Sequence, residues 1–128
     1  MEFTGGLTTL DQLDLDTALR AALDQGIRTY LLQGVVDRDT FFYAIRANFP
    51  LDPPLVSNRS WDALKDSLSG GLINPPDRRV LILWPGTTAM PTQDREIALA
   101  ILRQVAAERA NPAYAHGQTT EVTILVDE

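Results

Sequence analysis

Apolar residues recur along this chain with more than one period, and the periods mark its elements. From Leu13 to Gln25, Leu15, Ala18, Leu19, Ala22 and Leu23 fall at helical spacing, and Gly26 follows as a stop. Arg28 to Gln33 is short, partly β-branched and aromatic, and ends at Gly34, which predicts a strand. Asp37 or Asp39 is placed to cap a helix running to about Asn48, with Phe42, Ile45 and Phe49 on one face. Phe49-Pro50 ends it, and a proline-rich loop leads to a helix over Ser60–Leu68, closed by Gly70-Gly71. Asn74 to Asp77 reads as a turn. Val80–Trp84 is an unbroken apolar run, the mark of a strand buried on both faces at the centre of a parallel sheet. Thr92 is the expected cap of a long helix to about Ala110, with Ile97, Ile101, Leu102 and Val105 inward. Asn111–Thr120 is a loop, and Glu121–Val126 is a last strand. Strands separated by helices predict an α/β fold with a small parallel sheet covered by helices.

Charge narrows the range of partners. The 128 residues carry a net charge of -6, which disfavours binding to nucleic acid or to an anionic membrane surface and favours basic partners. There is no cysteine, which removes disulfides, thiolate metal sites and thiol nucleophiles and fits a reducing compartment. Met1 to Gly6 has no basic flank and no long apolar run, which speaks against a signal peptide.

The helix Ser60-Trp61-Asp62-Ala63-Leu64-Lys65-Asp66-Ser67-Leu68-Ser69-Gly70 is the segment richest in chemistry. At about 100° per residue Trp61, Leu64 and Leu68 share one face, and Asp62 and Asp66 share a broadly opposite one. Two carboxylates at i and i+4 repel by a few tenths of a kcal/mol, so they form either an ordinary solvated face or a pair that awaits a cation. Catalysis fits less well, because no neighbouring motif supplies a nucleophile or an oxyanion hole. His116, the one histidine, sits in a predicted loop and cannot form a multi-histidine metal site. No glycine pattern matches a phosphate-binding loop, so neither a cofactor nor a metal is expected.

Phe49-Pro50, Trp61-Asp62-Ala63-Leu64, Asp66 and Leu68-Ser69-Gly70, followed by strand, helix and strand in that order, resemble the barstar family. The resemblance spans about Arg28 to Asp127. It implies a three-stranded parallel sheet flanked by helices over 28–128, and it leaves residues 1–27 as an N-terminal helical extension packed on that domain. On this view Leu15, Leu19 and Leu23 cover apolar surface or meet a second copy. The resemblance further implies a cytoplasmic protein, not an enzyme, that blocks the basic active site of a ribonuclease or nuclease toxin with an acidic helix. Asp62 and Asp66 match the family's inhibitory aspartates, and Ser69 and Gly70 its helix-end contacts.

Several positions depart from the family pattern. Val56 stands where the family has tyrosine, Asn58 where it has glycine, and Ser60, still a competent helix cap, where it has asparagine. Arg59 and Lys65 put positive charge beside the acid pair. A further acid is expected near the start of the long helix, with Asp94 the nearest candidate. The expected functions are therefore inhibition of a basic nuclease or, alternatively, a barstar-like module turned to another protein partner.

Overall fold

A computed structural model describes residues 1–73, 78–115 and 117–127. The turn predicted over Asn74–Asp77, and His116, lie outside the described residues. The chain runs β1 (Gly6–Leu10), α1 (Leu15–Asp24), β2 (Arg28–Leu31), α2 (Arg38–Asn48), α3 (Trp61–Gly71), β3 (Arg79–Trp84), a 3-10 turn (Thr87–Ala89), α4 (Thr92–Ala110) and β4 (Glu121–Asp127). The strands form one parallel sheet in the order β1-β4-β3-β2.

The sheet has four strands, and the expected three must be corrected. The added strand, β1, pairs Gly6 with Thr123 and Leu10 with Asp127 at the β4 edge. Its two leucines are an odd number of residues apart, so they point to opposite faces. Leu7 packs with the core under α2, α3 and α4, and Leu10 with the core under α1. A five-residue edge strand with one apolar residue on each face has no one-sided alternation to betray it.

Both faces of the inner strands are covered, which explains the unbroken apolar run. Val80, Ile82 and Trp84 of β3, with Val122, Ile124 and Val126 of β4, face the larger core. Leu81, Leu83 and Leu125 face the smaller one, which α1 closes. That helix docks through Ala18 and Ala22, while Leu19 is 38% and Leu23 79% exposed. Of the three leucines expected to cover apolar surface, Leu15 packs on this core, and Leu19 and Leu23 lie off the docking face. The two alanines, four residues apart, let the helix backbone approach the sheet and leave Leu23 to one side.

Helix ends follow local chemistry at two of three predicted caps. Asp37 caps α2 by accepting from Thr40 N at 2.8 Å, and the Thr40 hydroxyl accepts in return from Asp37 N at 3.0 Å. Ser60 caps α3 by accepting from Ala63 N at 3.1 Å. Thr92 does not cap α4. It is the first helical residue, behind Pro91, and no side chain caps this end.

All strands run one way, and each of α1, α2 and α4 follows a strand, so these helices start at the strands' C-terminal end. The end of α3 meets the start of β4, where the Thr120 hydroxyl donates to Leu72 O at 3.4 Å. Its N-terminus therefore points to the same pole as the others. The caps Asp14 and Asp37, with Asp16, Asp39, Asp62 and Asp94 in first turns, collect there. Helix dipoles favour carboxylates in those positions. Arg28 and Arg79, which begin β2 and β3, lie at the opposite pole.

Candidate functional site

The face that α3 shows to solvent is fixed by the face it buries. Leu64 and Leu68 are fully buried, and half-buried Trp61 meets Phe42 at 5.1 Å and Phe41 at 5.8 Å between ring centroids. Phe41 in turn packs on buried Trp84 at 5.2 Å. This aromatic stack ties the first turn of α3 to α2 and to the central strand. With residues 61, 64 and 68 inward, Asp62 and Asp66 are turned outward, and both are exposed.

The loop before α3 is held by backbone contacts. Asp52 N donates to Ser67 O at 3.0 Å, and Leu55 is buried as an anchor. Gly70 and Gly71 are expected to close the helix, but the structure keeps both helical and gives them another task. A Cβ on Gly70 would strike the Asp52 carbonyl, and one on Gly71 the Pro50 carbonyl. Only glycine lets loop and helix approach this closely. Beyond the anchor, Val56 is 91% exposed and Arg59 is also exposed. Half-buried Asn58 donates from Nδ2 to Asp39 Oδ1 at 3.2 Å, which joins the loop to the first turn of α2.

Lys65 does not stand free beside the aspartates. Its Nζ lies 2.8 Å from Glu108 Oε1 in α4, and the buried Ser69 hydroxyl donates to Glu108 Oε2 at 3.2 Å. The hydrogen bond to Glu108 raises the Lys65 pKa; burial opposes this, and the charges of Glu108, Asp66 and Asp62 add to it. Burial pushes the Glu108 carboxyl up, but the Lys65 hydrogen bond and charge, Ser69 and Arg109 outweigh it and hold Glu108 below its usual value.

The nine candidate residues therefore divide. Asp62, Asp66, Val56 and Arg59 are exposed around the start of α3. Asn58 braces the loop, Gly70 lies against Asp52, and Lys65 and Ser69 turn toward α4. Asp94 is not beside them through any hydrogen bond or ion pair among the described residues. The acid that α4 brings to α3 is Glu108, about 21 Å further along the helix at 1.5 Å per residue. Glu108 escapes a search near the helix start, yet it carries a signal. A carboxylate close to a helix C-terminus opposes the dipole and calls for a cation. Among the described residues no group of three or more His, Asp or Glu is placed to hold a metal ion. No helix there is long and apolar enough to cross a membrane.

Comparison with protein families gives a match to the model described as Barstar (barnase inhibitor), over residues 27–124. The chain belongs to the barstar family. The matched region starts just before β2 and takes in every later helix together with β3 and the first part of β4, so β1 and α1 lie outside it. No curated protein and no solved structure matches the chain. The barstar-family description supports the α/β architecture seen here and the role of its members as inhibitors.

Proposed function

We propose that this protein inhibits a basic ribonuclease of the barnase kind, in the cytoplasm, by seating the acidic face of α3 in the enzyme's active site. It acts by binding and not by catalysis. The observation that carries this reading is the outward, exposed placement of Asp62 and Asp66 on a helix whose other face is locked by Trp61, Leu64 and Leu68. A rigid pair of carboxylates meets the cations of a phosphate-binding cleft without first paying to order itself. The acidic pole adds long-range attraction, which raises association rates for basic partners. In this reading Asp62 and Asp66 are the centre of the contact. Val56, Asn58 and Arg59 form its loop side, Ser69 and Gly70 hold its far end from within through Glu108 and Asp52, and Asp94 belongs to the surrounding field. The lack of cysteine supports a reducing compartment.

Titrating barnase activity with the purified protein tests the proposal. Loss of ribonuclease activity at a one-to-one ratio is expected. Full activity at a tenfold excess would refute it and favour a second reading, a barstar-family module for another protein partner. The self-neutralised Lys65–Glu108 pair beside the aspartates is the observation on that side.

A further inference from the structure

We infer that Lys65 is a built-in counter-ion that sets partner specificity: it occupies Glu108 and leaves only Asp62 and Asp66 to meet a partner's cations. This rests on the reading that the outer face of α3 is the binding surface.

Both carboxylate oxygens of Glu108 are occupied within the protein, one by the Lys65 ammonium at 2.8 Å and the other by the Ser69 hydroxyl at 3.2 Å. The two charged side chains are only 25% and 24% exposed. A partner cation aimed at Glu108 would have to displace an ammonium already in contact and already partly desolvated. That ammonium also sits three residues after Asp62, with the acid on the N-terminal side, which is the favourable order on a helix. Three carboxylates and one ammonium leave the group at -2 instead of -3. Basic proteins in general are thus attracted less. A partner gains only when its cations are spaced to reach Asp62 and Asp66 together, past the Lys65–Glu108 pair on the α4 side. The Lys65 charge acts through Glu108 and the aspartates, which makes it a specificity-determining residue and not one more attractive contact.

The test uses a hexa-arginine peptide as the probe, binding the full-length protein at low salt, followed by fluorescence anisotropy. Lys65→Gln should tighten binding about fourfold, the effect of removing one unit charge about 5 Å away in water. Arg46→Gln, in the last turn of α2, changes the net charge equally and should tighten binding much less. Lys65→Arg should match the wild type, and Lys65→Gln combined with Glu108→Gln should return close to it. Equal effects of Lys65→Gln and Arg46→Gln would overturn the inference, leaving net charge alone at work. A second measurement needs no variant: the side-chain carboxyl ¹³C shifts of the wild-type protein as peptide is added. Asp62 and Asp66 should move while Glu108 stays, and a Glu108 shift as large as theirs would overturn the inference. Asp62→Asn with Asp66→Asn tests the underlying reading separately. If that variant binds the peptide as the wild type does, the α3 surface is wrong. If it loses binding while Lys65→Gln has no effect, only the counter-ion role is wrong.

Discussion

Gly71→Ala sets two physical effects against each other with opposite signs. Gly71 is the last residue of α3 and its backbone is helical, so propensity alone favours alanine by about 0.5–1 kcal/mol. The packing opposes it. The new Cβ would overlap the Pro50 carbonyl and lie 3.0 Å from Leu51 Cα, and both neighbours are backbone. The loop cannot retreat without straining the Asp52 N to Ser67 O hydrogen bond, which spans 3.0 Å. Overpacking costs about 1–3 kcal/mol and a weakened hydrogen bond about 1 kcal/mol more. The net expectation is a loss of about 2 kcal/mol, or roughly 6–10 °C in melting temperature for a domain of this size. Thermal unfolding followed by far-ultraviolet circular dichroism measures it directly. Because the same loop carries Val56, Asn58 and Arg59, the variant should also bind its partner less tightly. A melting temperature equal to or above that of the wild type would refute the close-approach argument and return Gly71 to the ordinary role of a weak helix residue.

Asp66→Ala should leave stability within about 0.5 kcal/mol, since the side chain is exposed and its loss relieves repulsion with Asp62; a large fall in melting temperature would make Asp66 structural. Glu108→Gln should cost up to about 1 kcal/mol at neutral pH, the range for a pair partly open to water. The Glu108 pKa is depressed from 4.5, so its contribution is present above that pH and fades as pH falls through the lower folded value. Denaturant melts of variant and wild type should therefore converge in acid, and a difference that persists at pH 2 would contradict this. The Lys65 side of the pair, raised from 10.5, contributes below that pH and is lost only as pH rises beyond it. Deleting residues 1–26 should abolish cooperative melting, because it bares Leu81, Leu83 and Leu125 and removes β1 from β4. A truncated protein that melts as sharply as the full chain would show that the family core stands alone.

The parts of the fold legible in the sequence were those with one strong period. Val80–Trp84 betrayed its burial on both faces because every residue is apolar, and Ser60 and Asp37 announced their caps because the capping oxygen must come from such side chains. The missed parts depend on partners distant in sequence. β1 is a strand because β4 offers it an edge, and α1 docks by alanines because the sheet accepts a close backbone. Glycines 70 and 71 look like a helix stop until Pro50 and Asp52 are seen beneath them. At the site, helical spacing sufficed for the outward turn of Asp62 and Asp66. Lys65 looked like free positive charge because Glu108, its counter-ion, lies on another helix. Asp94 lies in the first turn of the long helix, where the sequence alone places an acid, whereas the acid that α4 packs against α3 is Glu108, whose partners lie far from it in sequence.

The central claim, that the outer face of α3 carries the inhibitory contact, is tested most directly by one paired titration of barnase activity. Wild-type protein and Asp62→Ala/Asp66→Ala protein, matched in melting temperature, are added to the enzyme at equal concentrations. Desolvated charge pairs at an interface centre are worth about 2 kcal/mol or more each. The wild type should therefore inhibit stoichiometrically, and the double variant should need at least about a hundredfold more protein. Equal inhibition by the two proteins would contradict the account.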